Sequence, residues 1–157
     1  MDMTGSERIA APREAVWAAL NNPDVLKQCI PGCESIDKVS DTEMNAKVTL
    51  RVGPVKASFT GKVTLSDLDP PNGYKITGEG SGGVAGFAKG GATVSLHEVG
   101  GATVLSYIVN AQIGGKLAQL GARLIDSTSK KLATEFFAKF AQVVAPQEAQ
   151  STVPPAA

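Results

Sequence analysis

Cys29 and Cys33 flank a Pro-Gly corner in the stretch CIPGC, and the chain has no other cysteine. Thiols this close raise two kinds of chemistry, dithiol exchange and metal ligation. The C-x₃-C spacing departs from the C-x₂-C of dithiol oxidoreductases, and two thiolates supply only half the ligands of a tetrahedral metal site. The single histidine, His97, alternates with Val94 and Leu96, which turns it to the wet face of its strand. A local role fits better. Pro31 and Gly32 stop a helix and turn the chain, while the cysteines tuck in as small apolar side chains. The start MDMTGSERIAAP contains no apolar signal segment, so reduced thiols and a cytoplasmic location are expected.

Gly78, Gly80 and Gly83 satisfy G-x-G-x-x-G, the phosphate-cradling fingerprint of dinucleotide sites. That fingerprint works only with a helix behind it and a parallel βαβ unit around it. Here the glycines sit between antiparallel strands, and Gly86, Gly90 and Gly91 would spoil a following helix. The alternative is a flexible strand-loop-strand at the mouth of a cavity, formed by Gly82, Gly83, Gly86 and Phe87. It would act as a gate or serve merely as a bulged edge. Among the carboxylates, Asp67 and Asp69 precede Pro70-Pro71 as turn formers, and Asp37, Asp41 and Glu43 bracket another hairpin. Glu7 and Glu79 are the acids expected to point inward, where a buried carboxylate could serve as acid or base. A Ser-His-Asp triad would require an inward histidine and is excluded.

These residues need elements to hold them. A short strand near Met3 to Ile9 precedes the helix of APREAVWAAL, with Pro12 at its first position and Val16, Trp17 and Leu20 on one face. A second short helix follows, capped by Asn22 before Pro23. The period then changes to two. Met44, Ala46, Val48, Leu50 and Val52 alternate with polar residues, as do Val55, Ala57, Phe59, Gly61, Val63 and Leu65. About six such strands, wet on one face, make an antiparallel sheet. Leu117, Leu120, Leu124, Thr128, Leu132, Phe136, Phe140 and Val143 then step by three or four, predicting one helix of about 30 residues, roughly 45 Å long. On its polar side Asp126 precedes Lys130, and Glu135 precedes Lys139, by four residues. One helix covers such a sheet only if the sheet curls around it. The expected architecture is α+β, a curved antiparallel sheet gripping a long C-terminal helix, with a cavity between them. The domain is expected over 1–145, with a disordered tail over 146–157.

The strings VWAALNNPDVLKQCIPGCESI, GEGSGGVAGFAKGGATVSL and TVLSYIVNAQIGGKLAQLGARLI resemble the CoxG family of carbon monoxide dehydrogenase proteins. That family lies within the START-like, polyketide-cyclase and Bet v 1-like (SRPBCC) superfamily, whose fold is the helix grip. The resemblance covers about residues 2 to 145. It implies an accessory protein of a molybdenum hydroxylase of the aerobic carbon monoxide dehydrogenase type. The partner enzyme would carry the molybdopterin, iron-sulfur and flavin groups, and this chain none. It further implies recruitment of the enzyme to the membrane and handling of an apolar ligand such as a respiratory quinone or lipid. Membrane contact would be peripheral, at the inner face of the cytoplasmic membrane. The stretch STVPPAA is not apolar enough to insert.

The expected cavity lining is Leu50, Val52, Phe59 and Leu105 from the strands, with Tyr107 the polar-tipped member. Phe87 and helix residues Leu117, Leu120 and Leu124 would close it. The small neighbours Gly114, Gly115, Ala118 and Gly121 suggest open space there, whereas Leu132, Phe136 and Phe140 read as ordinary core. Zero net charge, from 15 basic and 15 acidic residues, leaves no nucleic-acid footprint and no polybasic tether. The reading is a non-catalytic ligand-binding accessory protein. The alternatives are a cyclase-type enzyme on the same fold and a docking adaptor with an incidental cavity.

Overall fold

A computed structural model describes residues 1–144; the expected tail over 146–157 lies outside them. The order is β1 (Asp2–Ile9), α1 (Arg13–Leu20), α2 (Pro23–Cys29), β2 (Cys33–Ser40), β3 (Glu43–Val52), β4 (Val55–Asp69) and β5 (Gly73–Ser81). A 3₁₀ turn (Gly83–Ala85) leads to β6 (Phe87–Val99), β7 (Ala102–Gly114), α3 (Lys116–Gln119) and α4 (Ala122–Val144). All strands join one antiparallel sheet in the order β1-β7-β6-β5-β4-β3-β2. This is the helix-grip architecture: the sheet curls around α4, and α1 and α2 close one end.

Local signals explain most elements. Pro12, in an extended conformation, precedes α1 as its cap and not as its first turn. Asn22 caps α2 as expected, its side chain accepting a hydrogen bond from the Asp24 amide at 2.9 Å. The period-two strands show one dry and one wet face. On β6, Val94 and Leu96 are buried while Thr93 and His97 are exposed. The bend of the sheet uses a band of glycines on adjoining strands, where Gly61 faces Gly80 and Gly78 faces Gly90. A side chain on Gly90 would collide with the Asn110 carbonyl of β7.

The expected single helix is two. Leucine periodicity runs unbroken from Leu117 into α4, but Gly121 adopts φ 95° and separates a four-residue α3 from a 23-residue α4, about 35 Å long. A left-handed glycine ends a helix however well its neighbours match the period. On α4 the Asp126–Lys130 pair closes at 3.0 Å; Glu135 and Lys139 form no ion pair among the described residues.

The main core gathers Ile9, Val16, Leu20, Leu96, Leu105 and Phe140 where α1, the sheet and the distal half of α4 meet. Thr103, fully buried, donates its hydroxyl to the Ala11 carbonyl at 2.7 Å and so ties the β1–α1 link to β7. A smaller cluster of Val52, Leu117 and Ile125, with Leu120 and Leu124 packed against it, sits at the opposite end.

Candidate ligand cavity

Two apolar cavities lie between the concave face of the sheet and α4. The first, about 350 Å³, is lined by Leu20 and Leu26 of the helix pair, by strand residues including Met44, Leu65, Tyr74, Leu105 and Tyr107, and by Phe136 and Phe137 of α4. The second, about 340 Å³, is lined by residues including Val48, Leu50, Val52, Phe59, Ile113, Leu117, Ile125 and Leu132. Ile30 and Ala46 border both, so the two volumes adjoin at a waist. No Asp, Glu, His, Lys or Arg lines either. The only polar side chains there are the hydroxyls of Tyr74 and Tyr107 in the first, and of Thr128 and Ser129 in the second. Ser129 turns its hydroxyl back to the Ile125 carbonyl at 2.8 Å.

Aromatic rings set the walls of the first cavity. Phe137 stacks on Tyr107 at 5.5 Å and meets Phe136 edge-on at 5.0 Å, while Trp17 meets Tyr74 edge-on at 5.2 Å. Tyr107 lies over Gly5 of β1, where any side chain would strike its hydroxyl end. Burial, with Glu7 adding a second push, raises the Tyr107 phenol above its ordinary range.

Of the expected lining, Leu50, Val52, Phe59 and Leu117 face the second cavity, and Leu105 and Tyr107 the first. Leu120 and Leu124 are instead half-buried in the packing around Val52 and Leu117, with Leu124 seated over Gly53. Phe87 does not close the cavity. The strand β6 begins there, earlier than its apolar pattern signals, and alternation places Phe87 on the outer face, 44% exposed. Its ring covers Gly114, its register partner on β7, as aromatics do for glycines on sheet surfaces. So Gly114 and Gly115 do not mark open space: a side chain on Gly114 would meet the Phe87 ring, and one on Gly115 the Gly86 backbone. The expected loop over Gly82, Gly83 and Gly86 is a compact 3₁₀ turn, closed by the Gly82 amide on the Gly86 carbonyl at 2.8 Å. Phe136 and Leu132, read as plain core, line cavities, and only Phe140 is sealed.

Glu79 points outward, since Gly78 and Gly80 take the concave positions of β5; it stands between Lys62 and Lys89 on neighbouring strands. Glu7 is half-buried on the Tyr107 side of β1 and does not line the first cavity. Sequence reasoning missed Tyr74. Its alternation with Ile76 and Gly78 in YKITGEG carried the signal for an inward face.

The CIPGC stretch forms the corner between α2 and β2. Gly32 at φ 75° packs so close to Thr49 that a side chain would strike its carbonyl. Cys29 is buried and Cys33 half-buried, and both are free thiols. Burial raises both thiols, against a smaller opposing pull from Lys139 on Cys29 and from the Ser35 backbone and Lys27 on Cys33. A raised thiol is a poor nucleophile and a reluctant metal ligand. No cluster of three or more His, Cys, Asp or Glu side chains gathers as a metal site among the described residues.

Fold and cavity together define a helix-grip protein with an apolar interior. Likeness to solved structures agrees. A conserved protein from Geobacillus kaustophilus superposes with a TM-score of 0.87 at 29% identity, covering 93% of this chain and 96% of that one. Ara h 8.0201 reaches 0.65 at 15% identity over 93% and 98%. The Zhui aromatase/cyclase from Streptomyces sp. R1128 reaches 0.61 at 13% over 92% and 93%. At such identities the last two speak for the fold alone. No curated protein matches the chain in sequence. The profile of the CoxG family, the G-type subunits of carbon monoxide dehydrogenase, matches residues 5–145, and the chain belongs to that family.

Proposed function

We propose that this chain is a non-catalytic accessory protein that carries an apolar ligand, such as a respiratory quinone or a lipid, for a molybdenum hydroxylase of the carbon monoxide dehydrogenase type. The observation that carries the reading is the pair of adjoining cavities with apolar walls and no charged lining, since such space favours a ligand that is mostly hydrocarbon. The family supplies the class of partner. Electrons leaving a water-soluble enzyme must reach an acceptor that dissolves in the bilayer, and a carrier with a greasy interior bridges that gap. A cyclase-type enzyme on this fold would need an acid or base facing its substrate, and the cavity walls offer no carboxylate, histidine or lysine, only phenols that burial raises above their ordinary range. The test is native mass spectrometry of protein extracted gently from cells. Retained quinone or lipid is expected, and a chain that neither retains nor takes up such molecules would sink the proposal.

Peripheral membrane contact draws on one end of the molecule. Where β3 turns into β4, β5 into β6, β7 into α3 and α3 into α4, the surface carries Arg51, Lys56, Lys89, Lys116 and Arg123, all exposed and none in an ion pair among the described residues. Val84, 86% exposed, tips the 3₁₀ turn beside them, next to Phe87. The opposite end carries Asp41, Glu43, Asp67, Asp69 and Glu98, of which Glu43 and Asp67 are paired with Lys62 and Lys75. No helix among the described residues is long and apolar enough to cross a membrane, and a cationic end with apolar tips suits an anionic lipid surface. Co-sedimentation with phosphatidylglycerol vesicles is expected to exceed that with phosphatidylcholine and to fade with salt. Combining Val84→Asp with Lys116→Glu is expected to weaken it about ten-fold. Binding indifferent to both lipid charge and these substitutions would remove this end from the proposal.

A further inference from the structure

Tyr74 is the second residue of β5 and borders the first cavity at the end closed by α1, where Trp17 packs edge-on against its ring. It is only 5% exposed. Its hydroxyl makes no hydrogen bond to any described residue. Buried tyrosine hydroxyls ordinarily find a partner, because leaving one unmade forfeits hydration without return. Among the described residues, Arg13 Nε is the one fully sealed side-chain polar atom without a partner. The Tyr74 hydroxyl is therefore neither sealed nor hydrogen-bonded among the described residues, and its side chain lines the first cavity. Tyr107 is placed differently, half-buried near the β1 edge with Glu7 beside it.

Resting on the carrier reading above, we infer that the Tyr74 hydroxyl is the polar anchor of the cavity, recognising one neutral oxygen at the end of an otherwise hydrocarbon ligand. Neutrality follows from the lining: with no charged side chain on either cavity wall, a carboxylate or ammonium would lie buried and unpaired. The terminal position follows from the layout. Tyr74 borders the first cavity, and the second continues past the Ile30 and Ala46 waist toward Leu117 with no free anchor of comparable burial. The oxygen-bearing end sits in the first cavity and the chain extends into the second. Ketones, esters, quinones and alcohols fit this pattern, whereas fatty acids and amines do not.

The test uses the full chain and displacement of N-phenyl-1-naphthylamine by 2-tridecanone, 7-tridecanone and tridecane. The wild-type protein is expected to bind 2-tridecanone about ten-fold more tightly than tridecane, with 7-tridecanone between them. Tyr74→Phe is expected to bring 2-tridecanone down to the tridecane level and to leave tridecane unchanged. Its ligand-free melting temperature should stay level or rise, since an unsatisfied hydroxyl has been removed. Equal wild-type affinity for all three compounds, or a ketone preference that survives Tyr74→Phe, overturns the anchor and leaves the carrier reading standing. Failure of every compound and of the dye to bind sinks both. Because the two ketones are compared on the wild-type protein, the anchor can be refuted even if the variant folds poorly.

Discussion

Phe140→Ala is expected to cost about 3–5 kcal/mol of unfolding free energy. The side chain is fully buried among Ile9, Val16, Leu20 and Leu96 and stacks on Phe136 at 5.6 Å. It is where the distal half of α4 is fastened to α1 and the sheet. Domains of this size are stable by only about 5–15 kcal/mol, so the loss is a large share of the total. Urea unfolding would record it as a lower midpoint with an unaltered slope. Phe136→Ala supplies the contrast. Phe136 already borders open volume, so its truncation removes fewer contacts and is expected to cost clearly less. A Phe136 variant as damaged as the Phe140 variant would mean that the first cavity is closed in solution.

Ala46→Phe is expected to leave the fold intact and to block long ligands. Ala46 sits on the concave face of β3 opposite Gly61 of β4, and with Ile30 it forms the waist between the two cavities. A ring there meets space where a packed core would meet atoms, so the usual overpacking cost of about 1–3 kcal/mol is relieved. A ligand confined to one side loses the burial of about three methylenes, about 2.4 kcal/mol or about fifty-fold in affinity. Dye displacement with alkyl ketones of increasing length should show wild-type affinity rising with chain length and the variant levelling off early. Chain-length dependence untouched by the ring would place the ligand outside these cavities. Leu120, the position that periodicity alone would choose for such a block, packs away from the open volume.

The grip architecture is legible because each dry face follows a simple period. Met44 to Val52, and Val55 to Leu65, alternate in the sequence and line the concave face in space. Alternation alone places Leu50, Val52, Phe59 and Leu105. Where the sequence misleads, the deciding contact is non-local or lies in the backbone. Gly121 ends α3 through its own φ, which the apolar step from Leu117 to Leu124 conceals. Phe87 belongs to the outer face because β6 pairs with Ser81 and Gly114 from its first residue. That extension runs through Gly90 and Gly91, which read as loop in isolation. Glu79 faces out for the same reason: glycines hold the inward positions of β5, and a glycine shows no apolar signal. Tyr74 is readable by alternation, but its unpartnered hydroxyl is not. Which hydroxyls find partners depends on strands and helices far apart in the chain.

The paired cavities also bear on how the protein answers to hydrostatic pressure. Compression favours whichever state occupies less volume, and internal voids vanish when a chain unfolds. Apolar walls hold water poorly, so the dry part of these two spaces is volume that the empty protein gives up on unfolding. The empty form should therefore unfold at lower pressure than a solidly packed domain of equal thermal stability. An occupant would fill that void and make the ligand-bound form the less compressible of the two.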